Sequence, residues 1–284
     1  MKLVMGCLVR ISARFYERVI QYYSFLYDLF KSKSMADKIA KLRDIITQKQ
    51  TSVCLSLDVS SFEYGKYVLD ICGPYICMVK LHPDLLYDWV ANPLRHANTL
   101  KELAERYNFM IMADLKLVDV PAISYKQLVN PNYLVHTWAD FVTVMSVNYS
   151  GIVTYLASKD ITRNIIPVLV TEMNTRTELF QEADYQNFVA GLLEGVQIVV
   201  SQRSYAGLLK AKNIMSMTPG VIIHPATGNN PLQKYRTIQE AICQDGNQIV
   251  IIGGSILNVE YMTDILANIQ QAAKQSWEAL ILLG

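Results

Sequence analysis

The stretch Met110-Ile111-Met112-Ala113-Asp114-Leu115-Lys116-Leu117-Val118-Asp119 is an apolar run that ends in three charges. Read as a buried strand, its period of two puts Asp114 and Lys116 on one face, with Asp119 just beyond. Charges at the end of a buried strand are costly to desolvate unless they pair, so the cluster points either to a solvated salt bridge or to charge-based chemistry. Two neighbouring strand-like runs end in the same way. Asp58 lies at the end of Ser52 to Val59, and Lys80 and His82, again two apart, close Tyr75 to Leu81. Three adjacent strand ends that each deliver charge favour chemistry: an alternating array of lysines and carboxylates facing a polar substrate. His82 is the weakest member, because a neutral histidine hydrogen-bonded for structure is at least as common.

A second group of residues lies near the end of the chain. Met217-Thr218-Pro219-Gly220-Val221 and Gly253-Gly254-Ser255 each follow an apolar run. In a barrel of parallel strands such loops often present backbone amides to a phosphate. Gln233, Lys234, Tyr235 and Arg236 lie between them and could add donors. Ordinary tight turns are the alternative. The two regions together suggest a phosphorylated substrate.

The elements that must position these residues follow a simple alternation. Strand-like runs fall at Ser52 to Val59, Tyr75 to Leu81, Phe109 to Leu115, Phe141 to Met145, Ile165 to Val170, Gln197 to Val200, Ile214 to Met217 and Gln248 to Ile252. Helical patterns lie between them, as at Phe62 to Ile71, Leu100 to Tyr107, Tyr185 to Glu194 and Thr237 to Cys243, and Met35 to Gln48 precedes the first. Strands apolar throughout imply parallel pairing with helices over one side. Eight units favour an α/β fold of the (β/α)8 TIM barrel kind with an N-terminal helical extension, and 284 residues suit that size. A doubly wound open sheet is the runner-up, although the Gly-x-Gly-x-x-Gly fingerprint is absent.

The remaining sequence is less specific. A net charge of +1 without a basic patch gives no footprint for nucleic acid. Cys7, Cys54, Cys72, Cys77 and Cys243 show no metal-type Cys-x-x-Cys pairing and read as free thiols of a reducing, cytoplasmic compartment. Residues 1–34 form a separate extension ahead of a barrel over 35–284. Within it, Phe15, Val19, Tyr22, Tyr23, Leu26, Leu29 and Phe30 make a helical stripe suited to packing on its own domain or on a protein partner. The run Leu3 to Val9 is too short to span a bilayer and leaves only a weak targeting signal.

Several ordered motifs resemble orotidine 5'-phosphate decarboxylase of the eukaryotic type. They are Leu57-Asp58-Val59, the stretch from Gly73 to Asp84, the Asp114/Lys116/Asp119 cluster, Trp138-Ala139-Asp140, Met217 to Val221 and Gln233 to Thr237. The resemblance runs from about Met35 to Ala279. It implies loss of the carboxylate from a pyrimidine nucleotide monophosphate, orotidine 5'-phosphate, with no metal and no organic cofactor. It also implies roles. Lys116 stabilises and protonates the C6 carbanion, Asp114 sits near the departing carboxylate, and Lys80 holds the network and contacts the ribose. Asp119 reaches into the neighbouring site of a homodimer. Substrate-binding positions that follow from the same resemblance are Asp58, Asn174, Gln233, Tyr235, Gly253 and Gly254.

The chain departs from the family pattern at some of these positions. Gly254 stands where the family carries a phosphate-gripping arginine, Ile123 where a threonine meets the neighbouring ribose, and Asn174 where a serine reads the pyrimidine. The lid becomes Thr175-Arg176-Thr177-Glu178-Leu179-Phe180, and Arg176 or Arg203 could replace the missing phosphate contact. These departures motivate a second reading, a catalytically inactive relative with a binding or regulatory role. A third, a magnesium-dependent keto-gulonate phosphate type, shares the Asp-x-Lys-x-x-Asp pattern.

Overall fold

The computed structural model describes residues 33–175, 191, 193, 195–202, 206–223, 232–260 and 262–283. The extension's aromatic stripe, Cys7, Arg176, Arg203, most of the lid and most of the helix expected over 185–194 lie outside the described residues.

The strands are β1 (Val53–Ser56), β2 (Met78–Leu81), β3 (Met110–Leu117), β4 (Phe141–Met145), β5 (Ile166–Val170), β6 (Ile198–Val200), β7 (Met215–Thr218), β8 (Val221–Ile222), β9 (Arg236–Thr237) and β10 (Ile249–Ile252). β1 to β7 and β10 close into a barrel in the order β1-β10-β7-β6-β5-β4-β3-β2, every pair parallel, while β8 and β9 form a small parallel pair of their own. The eight-unit expectation is therefore met by a closed barrel rather than an open sheet. Val, Ile, Leu and Met dominate these strands and are buried, as they must be when side chains pack both inside the barrel and under helices.

Local chemistry sets the helix boundaries. Ser61 caps the helix Phe62–Cys72, and the Asp88 carboxylate also accepts the amides of Phe62 (2.7 Å) and Glu63 (3.1 Å), tying the loop after β2 to the helix after β1. Pro93 opens Pro93–Tyr107, and Asn108 ends it in the left-handed conformation at φ +50°. β2 starts three residues later than the sequence pattern suggests, because Gly73–Tyr75 forms a 3-10 turn around Pro74. β3 instead ends two residues later than expected, at Leu117. The helix expected over Thr237 to Cys243 widens into a π-helical turn, Glu240–Gln244.

Helix Lys33–Lys49 closes the N-terminal face of the barrel. Met35, Leu42 and Ile45 are buried, Lys38 pairs with Asp140 (2.5 Å) before β4, and Arg43 donates to Asn213 (3.2 Å) before β7. At its end the Lys49 ammonium is ringed by four carbonyls, those of Gly73 (2.7 Å), Ile76 (2.6 Å) and Tyr107 (2.7 Å), with Asn108 (3.2 Å) sharing one of its three N–H groups. Burial draws its pKa down to about 8. Cys54, Cys72 and Cys77 are free and buried and Cys243 is half-buried, in line with the reading as free thiols; burial pushes the thiols of Cys72 and Cys77 up to about 12. Among the described residues no helix is long and apolar enough to cross a membrane.

Candidate active site

The C-terminal ends of β1, β2 and β3 bring four of the expected residues into one charged network. Lys80, on β2 and almost fully buried, places its Nζ 2.9 Å from Asp114 Oδ2 and 3.5 Å from Asp58 Oδ1. Lys116 Nζ lies 2.9 Å from the same Asp114 Oδ2. His82 joins them: its Nε2 is 3.0 Å from Lys80 Nζ and 3.2 Å from Asp114 Oδ2. Asp58 is half-exposed and takes a hydrogen bond from Ser56 Oγ at 2.7 Å. Asp114 is thus the hub, a buried carboxylate shared by two ammonium groups.

Asp114 and Lys116 do share the mouth, but strand alternation alone does not put them there. Ala113 pairs with Val142 and Leu117 with Val144, so four steps along β3 face two along β4. The bulge puts Lys116 in the left-handed region at φ +48°, a conformation that costs a non-glycine residue on the order of 1 kcal/mol. No glycine or proline marks it in the sequence. The Lys116 amide donates to Thr143 Oγ1 (2.8 Å), and that hydroxyl donates to Asp114 Oδ1 (2.8 Å).

Electrostatics agree with this geometry. Burial opposes ionisation of Asp114, yet the hydrogen bond from His82 and the charges of Lys80 and Lys116 outweigh it and hold the carboxyl well below the usual range. For Lys80 burial lowers the pKa, but Asp114 and Asp58 more than compensate, and the ammonium sits above the ordinary lysine value. Both groups are ionised at neutral pH.

Asp119 stands apart. Its side chain is exposed, and among the described residues its carboxylate accepts only the Val120 amide, at 2.6 Å. The three charges read together from one strand therefore separate, two in the network and one at the rim. Val118, Val120, Ile123 and Val147, in the segments after β3 and β4, are exposed, as are Met173 after β5 and Leu85, Tyr87, Val90 and Leu94 after β2.

The loops after β5 and β7 and the segment just before β9 form a second cluster. Asn174 Oδ1 accepts the Lys234 amide (3.1 Å), and Tyr235 Oη donates to Gln233 Oε1 (2.6 Å). Gly220, at φ +73°, is enclosed: a Cβ there would meet Lys234 O at 2.3 Å and Asn174 Oδ1 at 2.5 Å. Arg236 does not reach outward as a free donor. Its guanidinium bonds Asp245, the carbonyl (2.9 Å) and side chain (3.1 Å) of Gln202, and Thr218 Oγ1 (2.5 Å), so it knits the ends of β6 and β7. Gly253 joins the first cluster, since a Cβ there would lie 3.0 Å from Ser56 Cβ and 3.4 Å from Asp58 Oδ2. Gly254 is exposed and opens the short helix Gly254–Leu257.

Sequence reasoning missed Thr143, Ser56 and the Arg236–Asp245 pair. Thr143 carried a readable signal, a hydroxyl on the inward side of an otherwise apolar strand. The other two depend on tertiary packing.

A parallel eight-stranded barrel with lysines and carboxylates alternating at the C-terminal mouth defines a class: barrel proteins built to act on a charged small molecule at that mouth. The family model for the orotidine 5'-phosphate decarboxylase / HUMPS family matches residues 51–261, and the chain belongs to that family. Orotidine 5'-phosphate decarboxylase from Torulaspora delbrueckii is 31% identical over 220 residues, which are 75% of this chain and 82% of the yeast protein. Bovine (Bos taurus) uridine 5'-monophosphate synthase is 30% identical over 256 residues, 85% of this chain; the chain spans about half of that relative, 49%. Among solved structures, orotidine 5'-monophosphate decarboxylase from Methanocaldococcus jannaschii complexed with inhibitor BMP shares the fold at a TM-score of 0.55 and 20% identity, over 81% of this chain and 98% of that one.

Proposed function

We propose that this chain removes the carboxylate of orotidine 5'-phosphate to give uridine 5'-phosphate, the carboxy-lyase step of pyrimidine biosynthesis. The observation that carries the reading is the Lys80–Asp114–Lys116 array, with both ammonium groups 2.9 Å from one buried carboxylate oxygen. As the bond from C6 to the carboxylate breaks, the electron pair stays on C6 and carbon dioxide leaves. Lys116 stabilises that charge and then gives C6 a proton, regaining one from solvent. An ammonium already fixed by Asp114 needs no reorganisation as charge develops, so it stabilises the transition state more than the ground state. Lys80 and Asp58 are assigned to the ribose, Asn174 to the pyrimidine, and Gln233, Tyr235 and the Gly253–Gly254 backbone to the phosphate.

A cytoplasmic homodimer completes the site in this reading. The exposed Val118, Val120, Ile123 and Val147 around Asp119 support burial against a second copy, which would carry the Asp119 carboxylate toward the neighbouring Lys116. The assignment of residues 1–34 as an extension that meets a protein partner, ahead of a barrel over 35–284, belongs to the same proposal.

The test is turnover of orotidine 5'-phosphate by purified dimer, followed by formation of uridine 5'-phosphate. Lys116→Met is expected to abolish it. Mixing Lys116→Met with Asp119→Asn chains is expected to restore part of the activity, because one site of the mixed dimer then has both native residues. Tight binding of uridine 5'-phosphate without any turnover would replace this reading by that of an inactive relative.

A further inference from the structure

Thr143 lies inside β4, 2% exposed, and its hydroxyl touches both charged residues of the β3 bulge. An ionised carboxylate only accepts, so the single hydroxyl proton is committed to Asp114 Oδ1 at 2.8 Å. The oxygen's lone pair is thereby turned to the amide of Lys116, also at 2.8 Å. That amide sits where the β3–β4 ladder breaks its register, between Ala113 and Leu117, and the hydroxyl takes the place of a ladder acceptor. It holds the strained residue at φ +48° and at the same time fixes the carboxylate from the side opposite Lys80 and Lys116, which both approach Oδ2.

We infer that Thr143 is a positioning residue for the reaction proposed above, one whose hydroxyl sets the aim of the Lys116 ammonium by bracing its backbone and its carboxylate partner together. A threonine that merely satisfies itself in a core would need one acceptor; this one joins two members of the reacting array across a strand boundary. The inference rests on the proposed decarboxylation only for its kinetic consequence.

Thr143→Val keeps the shape and removes the hydroxyl, and Thr143→Ser keeps the hydroxyl. The expected result is a fall in kcat of about tenfold to a hundredfold for valine, the scale of a small misplacement of a reacting group, with KM changed less than about threefold and with serine restoring kcat to within about fivefold. Native circular dichroism of both variants establishes that they fold. Valine with wild-type kcat, or serine no better than valine, would overturn the inference. A second arm needs no substrate. Acid unfolding of Thr143→Val is compared in the wild-type and Asp114→Asn backgrounds. The pH midpoint is expected to rise on loss of the hydroxyl only where Asp114 is present, and an equal shift in both backgrounds would refute the coupling. If the wild type shows no turnover, the proposed function fails while this arm still decides the role of Thr143.

Discussion

Asp114→Asn isolates the charge at the hub of the site while leaving its shape. Lys80 and Lys116 each lie 2.9 Å from the same Asp114 oxygen. Without the carboxylate the two ammonium groups face each other at no more than about twice that distance, where at an effective dielectric of about 20 their repulsion is roughly 3 kcal/mol. Breaking a buried pair from one side costs about 3 to 5 kcal/mol. Lys116 is about one-third exposed and can relieve part of this by turning toward water, so the expected loss of stability is near the lower figure, about 3 kcal/mol. That relief is also what removes activity, since the ammonium leaves the place where the carbanion forms. Loss of one preorganised electrostatic partner lowers kcat by about 10²- to 10³-fold. Affinity for uridine 5'-phosphate should hold or improve, because the mouth gains positive charge toward an anion. Urea unfolding, steady-state formation of uridine 5'-phosphate and titration calorimetry read the three quantities. Stability within 1 kcal/mol of wild type together with kcat within about tenfold would refute the assignment of Asp114 as the hub.

The depressed pKa of Asp114 carries a stability consequence of definite sign: its contribution is full above the ordinary carboxylate value near 4 and is lost as pH falls below it toward the folded-state value. Unfolding curves from pH 6 to pH 2 should show this loss in the wild type and a shallower one in Asp114→Asn. Gly220→Ala would force a Cβ against Lys234 O and Asn174 Oδ1 at φ +73°, so a loss of about 2 kcal/mol or more and at least tenfold weaker binding of uridine 5'-phosphate are expected by thermal melting and calorimetry. Lys49→Met leaves four carbonyls without their donor and should cost about 2 to 3 kcal/mol in urea unfolding, while kcat at 25 °C stays near wild type because Lys49 is on the face opposite the site.

The barrel was legible because its strands are apolar on both faces and its helices keep their spacing. The array was legible because Asp58, Lys80, Asp114 and Lys116 are types that a purely structural strand end rarely gathers. What remained hidden depends on contacts remote in sequence. The left-handed turn at Lys116 has no glycine to announce it, and the hydroxyl that supports it comes from the next strand. Nothing in the sequence singles out Lys49, because its acceptors on Tyr107 and Asn108 lie far along the chain. Arg236 read as an available donor for phosphate, yet packing turns it inward onto Gln202, Thr218 and Asp245. Asp119 looked like part of one cluster, but it lies past the end of β3, exposed and bonded to the Val120 amide, outside the Asp114–Lys116 network within a single chain.

The contacts of Lys49 also bear on the order in which the chain assembles. Its four acceptors belong to residues 73, 76, 107 and 108, and the same helix meets Asp140 and Asn213. None of these sites exists until the strands that precede or follow them have been placed, and closing such long loops comes late in folding. The helix Lys33–Lys49, which precedes the barrel in sequence, is therefore expected to dock only once β2, β3 and β4 are in place to supply its acceptors. Pulse-labelling hydrogen exchange would detect this as protection of the Lys33–Lys49 amides that lags behind that of β2, β3 and β4; simultaneous protection would show that helix and barrel form as one cooperative unit.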